Sequence, residues 1–207
     1  ARLDDRILGV PSQFCKNAVK IHIDIDAAEF GKLIRPDIRC RGDAKTVLQD
    51  LLPLLKKGDT ADWIKRIDGF KKKWPMAYAK KGGLHPPQVI DALNKLTGGK
   101  AVMTTDVGQH QMWAWQFFRA DKPWQFISSG GAGTMGFGLP AAIGAQFGRP
   151  GETVVAIVGD GGFQMTMSDL ATAVIHKLPV KIILMNNHYL GMVRQWQDMF
   201  YDERYSG

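Results

Sequence analysis

Cysteine is nearly missing from this sequence, since its 207 residues include only Cys15 and Cys40. Two cysteines are too few for a disulfide framework, and neither has a metal-ligand spacing, so we expect two free thiols. No apolar run approaches the roughly 20 residues of a membrane span, and the opening residues ARLDDR lack the layout of a signal peptide. These absences predict a soluble, intracellular protein.

Acidic residues are also in deficit, with 20 against 27 basic ones and a formal net charge of +7. The excess is concentrated in residues 56–81, where nine Lys and Arg stand against three Asp. This segment has no nucleic-acid-binding motif, so a solvated linker helix around Trp63 and Phe70 explains the charge better than a DNA-binding surface.

Apolar and turn-forming residues divide the chain into three parts. Residues 1–55 contain a strand over 19–24, a polar loop to Gly42-Asp43 and a helix from about residue 44 to 55. Residues 56–83 form the basic linker, which ends at Gly82-Gly83. From residue 84 onwards strands and helices alternate, which predicts an α/β fold with a parallel sheet flanked by helices. The predicted elements are helices over 86–97, 112–118 and 139–147 and strands over 101–105 and 125–128, and the first helix has Val89, Ile90, Leu93 and Leu96 on one face.

Residues 153–196 carry the strongest pattern in the sequence. A β-branched strand over 153–158 ends at Gly159-Asp160-Gly161-Gly162, and a second apolar run over 180–185 ends at Asn186-Asn187. Between them, apolar residues at helical intervals predict a helix from Thr166, with Asp169 at capping-box spacing, to Pro179. The unit is therefore a crossover between two parallel strands, whose ends meet at one edge of the sheet.

Asp160 and Asn187 are thus expected to share one ion at this edge. A carboxylate and an amide oxygen suit Mg²⁺, which takes its remaining ligands from phosphate and water. Gly161 and Gly162 let backbone N–H groups approach an anion closely, next to the start of a helix. The pattern predicts a clamp for a metal and a diphosphate, although each dipeptide taken alone is better explained as a tight turn.

A second glycine-rich stretch, residues 131–136, matches the GxGxxG pattern of dinucleotide-binding folds. The acidic residue that such folds place on the ribose has its best candidate in Asp160, which a metal site explains better. We therefore interpret these glycines as a place where the backbone lies close to a flat ring.

The GDG and NN pair resembles the thiamine-diphosphate signature, and several further stretches are similar to the catalytic subunit of acetolactate synthase. These stretches are ARLDDR (1–6), IHIDIDAAEFGK (21–32), TDVGQHQMW (105–113), SGGAGTMGFGLPAAIGA (129–145) and LGMVRQWQDMFY (190–201). The resemblance implies that residues 84–207 form a domain that binds thiamine diphosphate and Mg²⁺. It also implies that residues 1–55 are the end of a Rossmann-like middle domain that binds FAD, so that the chain is a fragment of a longer fold.

The resemblance also implies specific site residues. Asp160, Asn187 and the carbonyl of Tyr189 would hold Mg²⁺, Gln109 and His110 would contact the diphosphate, and the Gly133 carbonyl and Met135 would contact the cofactor rings. The other residues implied for thiamine diphosphate are Gly161, Gly162, Leu190, Gly191 and Met192. Arg6, Asp24, Ile25 and Asp43 fall where this family binds a structural FAD, and Met192 and Trp196 would face the substrate channel.

Each of these roles has an ordinary structural alternative. Without the resemblance, Met135, Met192 and Trp196 are explained by core packing, and His110 by a satisfied surface histidine. Asp24 at a strand end is explained by a solvated turn. The sequence also departs from the family in having Gly162 where many members have Ser, and Ala132 where Leu is common.

The implied reaction is the decarboxylation of pyruvate and its ligation to a second pyruvate or 2-oxobutyrate, in branched-chain amino-acid biosynthesis. The activating glutamate of the family belongs to an N-terminal domain of a neighbouring subunit, so we expect no catalytic acid or base in this chain and no activity from it alone. A homodimer or homotetramer, a small regulatory subunit and a cytoplasmic, plastid or mitochondrial location are implied as well. The alternatives are a glyoxylate carboligase, a pyruvate oxidase, or a nucleotide-binding module without catalysis.

Overall fold

The computed structural model describes residue 3, residues 5–78 and residues 82–206, and it describes only the backbone of Asp5 and Arg6. The chain divides into two compact units, residues 1–69 and residues 70–207. This division falls inside the segment predicted to be a linker, and the predicted ends of that linker at residues 56 and 83 stay a prediction. Within the described residues, no helix is both long and apolar enough to cross a membrane.

The first unit is built around two parallel strands. Its elements are α1 (Asp5–Leu8), β1 (Ile21–Asp24), β2 (Ile38–Arg41), α2 (Ala44–Leu51) and the first part of α3 (Ala61–Lys73), with short 3-10 turns at Pro11–Gln13, Ala27–Glu29 and Leu52–Leu54. The prediction of an uninterrupted polar loop up to residue 42 was wrong, because β2 pairs with β1 from Ile21 opposite Ile38 to Asp24 opposite Arg41. The sequence IRCR alternates apolar and basic residues, but four residues inside a polar loop are too short a pattern to identify a strand without its pairing with β1.

The helix predicted after residue 43 begins as expected. The Asp43 carboxylate accepts a hydrogen bond from the Thr46 N–H at 3.1 Å, which satisfies one of the free donors in the first turn. The α-helix ends at Leu51, and Pro53 lies in the 3-10 turn that follows. Helix α3 has no buried residue among those described, which agrees with the prediction of a solvated helix.

The second unit is a parallel sheet with helices on both faces, which confirms the predicted α/β fold. Its elements are α4 (Pro86–Thr97), β3 (Val102–Thr105), α5 (Gln109–Phe117), β4 (Phe126–Ser128), α6 (Gly138–Gly148), β5 (Val154–Gly159), α7 (Asp160–Thr166), α8 (Leu170–Ile175), β6 (Lys181–Met185) and α9 (Gly191–Phe200). The strand order is β4-β3-β5-β6 and every pairing is parallel. All four strands therefore end at the same edge.

Strands β3 and β5 are buried on both faces, as their β-branched sequences require. Alternate residues point to opposite layers, so Met103 and Ile157 pack with α4 and α5, whereas Val102 and Val158 pack with α6. The two layers hold the ends of β3 and β5 rigidly, and these ends carry Asp106 and Asp160.

Two helix predictions were wrong in detail. Leu96, placed on the apolar face of the 86–97 helix, is 87% exposed, because the buried stripe consists of Pro87, Ile90 and Leu93. The aromatic helix predicted to begin at Met112 begins at Gln109, so Gln109 and His110 lie in its first turn.

The single helix predicted from Thr166 to Pro179 is also wrong. Helix α7 ends at Thr166, a 3-10 turn covers Met167–Asp169, and α8 ends at Ile175. Thr166 does not form the predicted cap, because its hydroxyl donates to the carbonyl of Gly136 at 3.0 Å. The apolar face predicted for this helix is only partly buried, since Val174 and Ile175 are largely exposed.

Candidate thiamine diphosphate site

A cavity of about 400 Å³ opens at the edge where β3, β5 and β6 end. This is the edge at which open α/β sheets bind ligands, and the volume is in the range of small-molecule sites. The described residues that line it include every residue predicted for thiamine diphosphate and the metal: Gln109, His110, Gly133, Met135, Asp160, Gly161, Gly162, Asn187, Tyr189, Leu190, Gly191 and Met192. The fold thus brings together residues that lie up to 83 positions apart in sequence.

Asp160 and Asn187 reach the cavity from the ends of neighbouring strands. Asp160 follows β5 directly and is the first residue of α7, so Gly161 and Gly162 lie in the first turn of that helix. Asn187 follows β6 in a turn in which its Oδ1 accepts the N–H of Tyr189 at 3.2 Å. The turn and the ligand role are compatible, because an amide oxygen has two lone pairs and uses one here.

Gln109 and His110 approach the cavity from the start of α5. The Gln109 Nε2 donates to Gln195 Oε1 at 3.0 Å, which joins α5 to α9 across the opening. A Cβ added to Gly191 would lie 2.5 Å from Gln109 Oε1, so a side chain there would have to displace the Gln109 amide.

His110 is buried, and its Nε2 has no hydrogen-bond partner among the described residues. Burial lowers the pKa of the imidazole from 6.5, although the Asp106 and Asp160 carboxylates act in the opposite direction. The alternative of a satisfied surface histidine is therefore wrong. An unpartnered buried nitrogen at the wall of a cavity is the kind of group that a bound ligand satisfies.

The glycine-rich stretch lies in the loop between β4 and α6 and brings Gly133 and Met135 to the cavity wall. Met135 is partly buried rather than enclosed in the core. Gly162 packs against the Asp106 side chain, since a Cβ there would lie 2.5 Å from Asp106 Oδ1.

Other predicted residues are not among the described residues that line the cavity. Trp196 is not among the described residues that line it, and its half-exposed indole packs against Phe200 with ring centroids 5.1 Å apart. In the first unit, Asp24 is the last residue of β1, Asp43 follows β2 after Gly42, and Ile25 is exposed. The Arg6 side chain lies outside the described residues.

Sequence reasoning missed two kinds of residue at the site. One is an apolar wall that includes Val89, Trp113 and Ile183, which the helix and strand periods assign simply to the core. The other is Asp106, whose carboxylate is fully buried under the cavity. The signal that could have identified Asp106 is its position directly after a buried strand, which it shares with Asp160.

Comparison with known proteins agrees with this geometry. Residues 106–207 match the family described as "Thiamine pyrophosphate enzyme, C-terminal TPP binding domain". This segment of the chain belongs to the thiamine pyrophosphate enzymes. The matched segment begins at Asp106 and includes most of the residues around the cavity, from Gln109 to Met192.

Homology extends over the whole chain to acetolactate synthases. The chain is 48% identical to "Acetolactate synthase large subunit" of Lactococcus lactis over 100% of its length and 36% of the relative. It is 47% identical to "Acetolactate synthase" of Mycobacterium bovis, over 99% of the chain and 34% of the relative. It is 48% identical to "Acetolactate synthase 2, chloroplastic" of Nicotiana tabacum, over 97% of the chain and 31% of the relative. The chain therefore spans about a third of the length of these relatives.

The residues around the cavity fit thiamine diphosphate and a divalent cation. The side-chain amide of Gln109 suits an anionic group, the unpartnered His110 nitrogen suits a polar group of the ligand, and the apolar wall suits an aromatic ring. Within the described residues, no cluster of three or more His, Cys, Asp or Glu side chains could hold a metal ion. The predicted ligands do not need one, because Mg²⁺ uses one or two carboxylates and completes its shell with phosphate and water.

Proposed function

We propose that the enzyme containing this chain is an acetolactate synthase. Such an enzyme decarboxylates pyruvate and ligates the remaining two-carbon unit to a second pyruvate or to 2-oxobutyrate. The observation that carries the proposal is the convergence of Asp160, Asn187, Gln109 and His110 on one cavity in a chain homologous to acetolactate synthases over its whole length. When bound, thiamine diphosphate supplies a nucleophilic carbon and an electron sink for this chemistry.

The residues of the chain bind and orient the cofactor in this proposal. Asp160, Asn187 and the Tyr189 carbonyl hold Mg²⁺, and the Asp160 carboxylate supplies the single protein charge in the ligand set. Gln109 and His110 hold the diphosphate, His110 through its unpartnered Nε2. Gly161, Gly162, Leu190 and Gly191 complete that part of the wall.

The cofactor rings lie against the glycine-rich loop in this proposal. Gly133 accepts a hydrogen bond through its carbonyl, and Met135 packs under the bent cofactor. Met192 and Trp196, four residues apart on α9, border the path of the substrate. The carboxylate that activates the cofactor is proposed to come from an N-terminal domain of a neighbouring subunit, which makes a homodimer the smallest active form.

FAD, a regulatory subunit and the cellular location belong to the same proposal. Asp24 at the end of β1 suits a ribose hydroxyl, because carboxylates at this position of a parallel sheet accept such bonds. Asp43 already caps α2, so its contact with a flavin nucleotide would be made by the remaining oxygen. The proposed location is the cytoplasm in bacteria, or a plastid or mitochondrion in eukaryotes, and the chloroplastic relative supports the plastid alternative.

The test is the substitution Asp160→Ala in the intact enzyme, with calorimetric titration of thiamine diphosphate at saturating and at zero Mg²⁺. We expect Mg²⁺-dependent binding to be lost, because the diphosphate charge would then face no charged protein ligand through the metal. Asp121→Ala is the matched control, since Asp121 is exposed and outside the cavity. Unchanged affinity in Asp160→Ala would remove Asp160 from the metal site.

Product analysis with pyruvate tests the reaction itself. Acetolactate is expected from the unsubstituted enzyme. Another product from pyruvate would favour a different thiamine-diphosphate carboligase or decarboxylase, such as a glyoxylate carboligase or a pyruvate oxidase. Binding of nucleotides without any turnover would favour a module without catalysis.

A further inference from the structure

The loop over residues 130–137 has no helix or strand of its own, yet it brings Gly133 and Met135 to the cavity. A loop that positions ligand-binding groups needs its backbone held from outside, because fixing each residue costs conformational entropy. Hydrogen bonds from three other segments do this. The Gly133 N–H donates to the Ser129 carbonyl at 3.0 Å. Asp106 binds Gly136 and Gly138, and Thr166 also binds Gly136.

Asp106 binds this loop through its side-chain carboxylate. Its carboxylate is fully buried and accepts the N–H of Gly136 through Oδ1 and the N–H of Gly138 through Oδ2, both at 3.0 Å. A third N–H, from Val107, donates to Oδ1 at 2.7 Å. Three backbone donors stabilise a carboxylate strongly, so this charge is satisfied by the loop that it holds.

Thr166 holds the same loop from the opposite side. Its Oγ1 donates to the Gly136 carbonyl at 3.0 Å, so both polar groups of the Gly136 peptide units are fixed by residues distant in sequence. Gly136 has φ of +81°, which a side chain would strain, and an added Cβ would lie 2.9 Å from Thr166 Cγ2. The contact therefore requires glycine at 136 and a small side chain at 166.

These bonds connect the two walls of the cavity. Helix α7 begins at Asp160, on the proposed metal side, and ends at Thr166, which binds the glycine-rich loop. A helix of seven residues is only about 10 Å long and is stiff. Loss of the Thr166 hydroxyl is thus expected to change the position of Met135, because Met135 precedes Gly136, which accepts the hydrogen bond from Thr166.

We propose that Asp106 and Thr166 are positioning residues of the thiamine diphosphate site, which clamp Gly136 from both sides and so hold Gly133 and Met135 in place for the cofactor. This inference rests on the proposed function for the identity of the ligand. The clamp itself rests on hydrogen bonds that exist without ligand.

The test uses Thr166→Val, which removes the donor at nearly constant size, and Thr166→Ser, which retains it. Thr172→Val, on the exposed surface of α8, is the matched control. The first readout is the position of the Met135 methyl signal in the carbon-13 NMR spectrum of methionine-labelled enzyme without cofactor, assigned with Met135→Leu. The second is the Kd for thiamine diphosphate at saturating Mg²⁺.

We expect Thr166→Val to shift the Met135 signal and to raise Kd about threefold to tenfold, the effect of one ordinary hydrogen bond. Thr166→Ser and Thr172→Val should both resemble the unsubstituted enzyme. Asp106→Asn should shift the same signal, because an amide nitrogen cannot accept the N–H that it would face. The effects of Thr166→Val and Asp106→Asn should be less than additive, since both act through Gly136.

An unmoved Met135 signal in folded Thr166→Val and Asp106→Asn would overturn the clamp. Equal losses in Thr166→Val and Thr166→Ser would also overturn it, because they would show that packing and not the hydroxyl matters. If the unsubstituted enzyme does not bind thiamine diphosphate, the proposed function fails, and the NMR signal without cofactor still decides whether the clamp exists.

Discussion

At the scale of the residue, His110 shows how burial changes the chemistry of a side chain. It lies in the first turn of α5, almost without solvent exposure, and its Nε2 is unpartnered among the described residues. Burial disfavours the charged imidazolium more than the nearby Asp106 and Asp160 carboxylates favour it, so the pKa is lowered. Because the other ring nitrogen is hydrogen-bonded to the Asp106 backbone, the unpartnered Nε2 of a neutral His110 is an acceptor, and it can donate to a ligand only from the protonated form.

The lowered pKa predicts a pH dependence of stability. The unfolded chain takes up a proton near pH 6.5, whereas folded His110 takes it up only at lower pH. Stability is therefore expected to fall as the pH decreases below about 6.5, until the folded pKa is passed. His110→Gln should lack this part of the decrease, as measured by urea unfolding at pH 7.5 and 5.5 without cofactor.

The control for this prediction is His188→Gln, because His188 is exposed. That variant should keep the pH dependence of the unsubstituted protein. The same loss of stability between the two pH values in His110→Gln would assign the dependence to other groups.

At the scale of the element, the contact between α6 and the sheet sets the position of the glycine-rich loop. Helix α6 packs through Ala142 on Val102, Val154 and Val158 of the sheet. Its first residue, Gly138, lies against the end of β3: an added Cβ would be 2.6 Å from the Asp106 backbone nitrogen and 2.9 Å from Val158 Cγ1. The Thr104 hydroxyl also donates to the Gly138 carbonyl at 2.8 Å.

This packing predicts opposite outcomes for two glycines of one helix. Gly138→Ala should destabilise the protein by about 1–3 kcal/mol, since backbone and core atoms must move to admit a methyl group. Gly144→Ala should be neutral or stabilising by up to about 1 kcal/mol, because nothing lies within 4 Å of its Cβ position and alanine favours a helix. Urea unfolding of both variants measures the difference. A tolerated Gly138→Ala would contradict the close packing of α6 on β3.

The elements also show where patterns mislead. The sequence LATAVIHKL has the spacing of one helix that continues to Leu178. In the structure, α8 ends at Ile175, and a 3-10 turn separates its start from the end of α7. The decisive interaction is the bond from Thr166 to Gly136, 30 residues away, which the local sequence does not contain. Capping-box spacing predicts a helix start only when the hydroxyl has no better partner.

At the scale of the whole molecule, the chain consists of two compact units and a basic segment at their division. Residues 55–60 have neither helix nor strand and are exposed, and they include Lys56 and Lys57. Exposed irregular backbone can adapt to the active site of a protease, whereas a strand in a buried sheet cannot.

Limited digestion with trypsin is therefore predicted to begin in this segment. We expect the first cleavages after Lys56 and Lys57, identified by mass spectrometry, and a slower first step in Lys56→Gln with Lys57→Gln. The matched control is Lys181→Gln in β6, which should leave the first step unchanged. A first cleavage within residues 102–159 would contradict the stability expected of the sheet.

The sequence by itself determined the parallel α/β core and predicted which residues meet at its edge. Buried parallel strands need continuous β-branched runs, so TVVAIV and VKIILM are recognisable as strands that deliver Asp160 and Asn187 to one edge. Tertiary structure decided what depends on distant partners: the pairing that makes the short segment IRCR a strand, the end of the helix at Thr166, the exposure of Leu96 and the burial of Asp106. Periodicity along the chain reports which face of an element is apolar. It cannot report which distant donor meets a carbonyl or how a buried charge is satisfied, because those depend on groups that only folding brings within 3 Å.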